Sequence, residues 1–152
     1  MPRRREERPP AEVIAVECIA VRVRALNRAI TALYDDALRP HGLRVGQLNL
    51  LVAVARIGTA RPSDLCRALS MDKSTLSRDL EVMRRNGWLE VEEGAGRGRP
   101  LRISPDGRSV LERAFPAWRQ AQERAGTLIG DEGAASLRQM ALRLRTGDQS
   151  GR

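Results

Sequence analysis

The sequence predicts a mainly α-helical chain with one small β-hairpin, and three observations carry that expectation. Apolar residues recur at steps of three and four near both ends, the period of an amphipathic helix. Between those stretches lies a short alternating run, Trp88-Leu89-Glu90-Val91-Glu92, which a glycine-rich tip separates from Leu101-Arg102-Ile103. That is the pattern of two strands and their turn. Aromatic residues are scarce, with two Trp, one Tyr and one Phe in 152 residues. The core must then be built from Leu, Val, Ile and Ala, which suits packed helices.

Residues 1–10 (MPRRREERPP) are charged, proline-rich and without apolar period, and read as a disordered basic arm. From Ala11 the spacing of Val16, Ile19, Val23, Leu26, Ile30, Leu33 and Ala37 predicts one long helix, ended by Pro40, His41 and Gly42. Val21-Arg22-Val23-Arg24 alternates as a strand would, but the longer period outweighs it. A second helix runs from Leu43 to Ile57 with Leu48, Leu51, Val52 and Ala55 on one face, and Gly58 closes it. Pro62 opens a short helix to about Leu69. After a turn at Ser70-Met71, Asp72 caps a helix to about Asn86, where Gly87 stops it. Beyond the hairpin, Ser104-Pro105-Asp106 starts a helix through Leu111, Phe115 and Trp118 toward Leu128, with a kink expected at Pro116. After Gly130, Asp131 caps a last helix carrying Leu137, Met140 and Leu144. The organisation is an arm (1–10), an N-terminal helix (11–42), a head (43–103), C-terminal helices (104–145) and a flexible tail (146–152), with no internal repeat.

The net charge of +8 favours a polyanionic partner. Lys73 is the only lysine, however, and an arginine-rich, lysine-poor chain also fits the codon bias of a GC-rich genome. Placement of charge must therefore decide. Cys18 and Cys66 make no disulfide framework, and with His41 alone they make no ordinary structural zinc site. Neither a metal nor a cofactor is called for. No apolar run approaches the roughly 20 residues needed to span a bilayer. Glu17 interrupts the only stretch that resembles a signal-peptide core, Val13 to Val21, so a cytoplasmic protein without membrane contact is expected. No paired acid and histidine, metal motif or nucleophile elbow points to an enzyme.

The order helix, turn, helix, strand, basic tip, strand is that of a winged helix-turn-helix. Stepping the Asp72–Asn86 helix at 100° per residue brings Leu76, Leu80 and Met83 together as a core face. Ser74, Arg78 and Arg85 fall opposite, flanked by Lys73, Thr75 and Ser77. Short hydroxyls beside arginine suit a helix entering a major groove, where Arg forks onto guanine and Ser or Thr fits close to bases and phosphates. The first-turn amides, with Lys73, can also meet a phosphate. A solvated helix face would look similar, and residues 61–102 hold nine basic and seven acidic side chains. DNA binding therefore requires Glu90, Glu92 and Glu93 to point away from the duplex. Arg97 and Arg99 lie on the glycine-rich tip, where such arginines enter a narrow minor groove. The GxGxG run there is no nucleotide loop, because a strand and not a helix follows it.

Over residues 12–145 the chain resembles the MarR family of bacterial regulators. The resemblance rests on residues 43–51 (LRVGQLNLL), 64–78 (DLCRALSMDKSTLSR) and 101–107 (LRISPDG). The tip reads Gly96-Arg97-Gly98-Arg99 where the family commonly has an acidic residue followed by two arginines. The resemblance implies a homodimer built from the first and last helices, binding palindromic double-stranded DNA, usually as a repressor relieved by a small-molecule effector or an oxidant. It makes Tyr34, His41 and Trp118 candidates for an effector pocket and Cys18 a candidate redox sensor, with plain packing as the alternative for each. Cys66, beside Leu65 and Ala68, reads as core. The apolar faces of residues 13–37, 110–129 and 137–144 exceed what a head of this size can cover, which independently favours a dimer. The competing functional reading is a winged-helix interaction module acting through protein contacts.

Overall fold

The computed structural model describes residues 8–92 and 99–147, the side chains of 145–147 excepted. The expectations for most of the arm, for the tip from Glu93 to Gly98 with Arg97, and for the last residues of the tail lie outside the described residues.

The chain divides into two compact units, residues 1–32 and 33–152. In the first, α1 (Pro10–Glu17) begins with proline in its first turn and buries no residue. It ends at Cys18, whose backbone is extended (φ −63°, ψ 110°), and α2 (Ile19–Leu38) follows at once. The single helix expected from Ala11 is thus interrupted. The Arg22 guanidinium donates to the Cys18 carbonyl at 3.1 Å across the break. Ile14, Val16, Ile19, Val21 and Val23 are all more than half exposed.

The second unit takes up α2 at Leu33. The helix ends in a 3₁₀ turn, Arg39–His41, which Gly42 closes with φ +70°. Then come α3 (Val45–Ile57), β1 (Thr59–Ala60), α4 (Pro62–Leu69), α5 (Lys73–Arg85), β2 (Leu89–Val91), β3 (Leu101–Ile103) and α6 (Pro105–Gly147). Helix α3 is the hub, packing on α4, α5, α6, β1 and β3. Its Leu50, Leu51 and Val54 are fully buried, as are Leu38, Leu65, Met83 and Ala114. Asp35 on α2 accepts from the Val45 amide at 2.7 Å, and Gln47 Oε1 from the Arg44 amide at 3.1 Å. Side chains thereby satisfy the start of α3. The strands form an antiparallel sheet in the order β1-β3-β2, with Thr59 opposite Arg102 and Glu90 on its other side.

Two further expectations change. Val52, placed on the apolar face of α3, is 41 % exposed. Backbone dihedrals stay helical across Pro116, and α6 breaks at Gly130 (φ 69°, ψ 167°), where the last helix is expected to begin. A proline removes one helical hydrogen bond, whereas the positive φ at Gly130 takes the backbone out of the helical region altogether. The third strand, two residues long, pairs with β3 beyond the expected hairpin.

The helix-turn-helix corner is made by Ser70, left-handed at φ 51°, ψ 41°. A side chain there costs about 1–2 kcal/mol, partly offset by the chain entropy a glycine would lose. Ser70→Gly is expected to raise stability by roughly 0.5–1 kcal/mol in urea titration; a lowered midpoint contradicts this strain.

Candidate nucleic-acid interface

Helix α5 begins with a capped turn. Asp72 is the N-cap, and its Oδ1 accepts from the Thr75 amide at 2.8 Å and from Ser74 Oγ at 2.6 Å. Its Oδ2 accepts from Thr75 Oγ1 at 2.7 Å. Downstream, Leu76, Leu80 and Met83 are buried, at 2 %, 8 % and 0 % exposure. Lys73, Ser74, Thr75, Ser77, Arg78 and Arg85 are all exposed. The helix is therefore phased as the 100° step requires, with its basic and hydroxyl face outward. Of the first-turn amides, that of Thr75 is taken by Asp72, whose carboxylate also sets a negative charge at that end.

The Ser74 hydroxyl, then the Thr75 amide and hydroxyl, hold the Asp72 carboxyl far below the ordinary carboxylate range. A carboxyl that titrates lower in the fold than in the unfolded chain stabilises the fold above the ordinary aspartate value, about 3.9. That contribution is lost as pH falls further. Wild-type urea midpoints are thus expected to fall more steeply below about pH 4 than those of Asp72→Asn; parallel curves contradict the capping network.

Gly87 (φ +73°) ends the turn after α5 and leads into β2. The junction between wing and α6 is tied by buried Ser104, whose hydroxyl donates to the Gly87 carbonyl at 2.5 Å and accepts from the Gly107 amide at 2.9 Å. The Ser104 amide donates to the Trp88 carbonyl at 3.0 Å. On the strands Glu90 pairs with Arg102 at 2.8 Å, so its charge is compensated. Glu92 is exposed. Its amide donates to the Pro100 carbonyl at 2.9 Å. Arg99 is exposed at the tip's returning edge.

Lys73, Ser77 and Arg99 come together, with Arg84, around a groove of about 380 Å³ between α4, α5 and the strands. Its floor is Leu76, Leu80, Val91 and Leu101. Cys66, expected in the core, is only half-buried and lines this groove. Ser74, Thr75 and Arg78 are not among its walls. The sequence reading missed Arg84, whose place on the groove wall depends on the strands folding over α5.

The remaining candidates separate. Tyr34 is buried, and its hydroxyl donates to Gln122 Oε1 at 2.5 Å, joining α2 to α6. Burial pushes its pKa upward. His41 is half-buried in the 3₁₀ turn. Trp118 stacks on Phe115 with ring centroids 5.7 Å apart, and the Arg119 guanidinium lies 5.0 Å from the opposite ring's centre. Both rings line a groove of about 480 Å³ with Leu48, Asn49, Val52, Leu111 and Glu112. Cys18 is a half-buried free thiol at the α1–α2 break. Among the described residues no group of acidic, His or Cys side chains could hold a metal, and no helix is long and apolar enough to cross a membrane.

The model of the MarR family matches residues 41–100, from the end of the 3₁₀ turn to the start of β3. The multiple antibiotic resistance protein MarR of Salmonella typhimurium is 27% identical over 111 residues, which is 70% of this chain and 77% of that protein. The M. tuberculosis transcriptional regulator MosR, solved in complex with DNA, is 31% identical with a TM-score of 0.73, covering 90% of this chain and 99% of that one. A mutant E. coli MarR complexed with operator DNA, at 17% identity, has a TM-score of 0.75 over 87% of this chain and 96% of that one, a likeness of fold. Matched along nearly the whole of MosR and by the family model across its head, the chain belongs to the MarR family.

Proposed function

We propose that the chain is a DNA-binding transcription regulator that grips a palindromic operator as a homodimer and represses from it in the cytoplasm. The observation that carries this reading is the phasing of α5, whose apolar side is sunk into the head while Ser74, Thr75, Arg78 and Arg85 stand out. Solved relatives bound to DNA support it. Lys73, Ser77 and Arg99 flank that face, and phosphates are their natural partners. The dimer is supported by Ile14, Val16, Ile19, Val21 and Val23 in the first unit and by Leu128, Leu137, Met140 and Leu144 in the second, all exposed. A second copy would cover them, and two-fold symmetry would set half-sites about 10 base pairs apart. The groove beside Trp118 favours relief by a small, largely apolar effector. No observation favours the protein-docking alternative.

Anisotropy titrations on a promoter duplex test the proposal. Affinity should fall linearly on a log–log plot against salt as counterions are released, and sedimentation should give a dimer at micromolar concentration. Salt-independent binding, or a monomer, overturns it.

A further inference from the structure

We propose that Asp72 is a specificity-determining positioning residue, which fixes Ser74 and Thr75 as hydrogen-bond acceptors and so directs the start of α5 toward amino-bearing base edges, those of cytosine and adenine. The inference rests on the DNA-binding reading above and adds what that surface selects.

The polarity follows from chemistry. An ionised carboxylate can only accept hydrogen bonds. Ser74 Oγ at 2.6 Å and Thr75 Oγ1 at 2.7 Å from the Asp72 oxygens must therefore both donate to it. Each hydroxyl has one proton, and each is spent. Both side chains are exposed, so only oxygen lone pairs are offered outward. A Ser or Thr free to turn can meet either kind of base edge; these two cannot without breaking a bond to a charged group.

A second observation concerns charge rather than geometry. Among the described residues no cation pairs with Asp72, and the residue is exposed. An uncompensated carboxylate is repelled by phosphate. Beyond the three donors of its own helix, the donors that a duplex offers it in the major groove are the cytosine N4 and adenine N6 amino groups. Guanine presents N7 and O6, and thymine O4, all acceptors. Spent hydroxyl protons and unpaired charge thus select the same two bases, while Arg78, farther along the helix, remains the group suited to guanine.

The test uses the full-length protein and selection from a randomised duplex library, with binding to a random duplex measured alongside. Ser74→Ala and Thr75→Val identify the positions that the two hydroxyls read. Wild type is expected to select cytosine or adenine there, by about tenfold over guanine or thymine. Asp72→Asn keeps an equally good cap, but one of its two oxygens becomes an amide donor. One hydroxyl then accepts from that amide and turns its proton outward, so selection at that position should move to guanine or thymine. Asp72→Ser, which also caps, should relax both positions. Random-duplex affinity of both variants should hold or rise, since a negative charge is gone; damage to the fold would lower it. Unchanged selection by Asp72→Asn, or wild-type selection of guanine at those positions, overturns this inference and leaves the DNA-binding reading standing. A wild-type protein that selects no sequence overturns both.

Discussion

Gly107→Ala is expected to destabilise the protein by about 3 kcal/mol, the upper part of the range for forcing an extra carbon into a packed core. Gly107 is buried in the first turn of α6. A Cβ placed there would lie 2.2 Å from the Trp88 carbonyl oxygen and 2.8 Å from Ile103 Cγ1. The oxygen cannot simply withdraw. It belongs to backbone, and it already accepts from the Ser104 amide, whose hydroxyl ties Gly87 and Gly107 together. One methyl group would thus strain the step from α5 into the strands and the start of α6 at once. Gly46→Ala is the control. Its Cβ would find only Asp79 Oδ2 at 3.8 Å, an ordinary contact, so stability should hold or rise by a few tenths to about 1 kcal/mol. Urea titrations of the two variants check this. Equal stabilities would mean that the close approach at Trp88 is absent.

Arg78→Ala is expected to weaken binding to the selected operator by about 2 kcal/mol, some thirtyfold, while lowering affinity for random duplex far less. Arg78 is exposed on the side of α5 opposite buried Leu76, Leu80 and Met83, and among the described residues no carboxylate holds it. Its guanidinium is free to fork onto guanine O6 and N7, the pairing that carries base information rather than position. A residue that only neutralised a phosphate would behave differently. Its loss would weaken all duplexes alike and reduce the salt slope by about one. The ratio of operator to random-duplex affinity therefore separates the two roles, and an unchanged ratio removes Arg78 from base reading.

Most of the second unit is legible in the sequence because local signals agree there. Pro62, Asp72, Gly87 and Ser104 mark element boundaries at positions where the chain obeys them, and α5 is phased correctly by Leu76, Leu80 and Met83 alone. What escaped depends on contacts that spacing does not encode. Nothing at Cys18, neither proline nor glycine, announces the extended backbone that separates α1 from α2. Thr59-Ala60 is too short to alternate, and becomes a strand only because β3 lies beside it. At the candidate site, the residue types of the α5 face were readable, as was Asp72 as a cap. That its second oxygen binds Thr75 Oγ1, leaving the hydroxyls as acceptors, required coordinates.

Dimethyl sulfate protection of a selected operator probes the major groove itself. If the outward face of α5 lies there in two symmetry-related copies, guanine N7 atoms should be shielded in two patches about one helical turn apart, and the guanine beneath Arg78 should regain reactivity in the Arg78→Ala complex. A stable complex in which every N7 stays as reactive as in free duplex would place the protein elsewhere on the DNA.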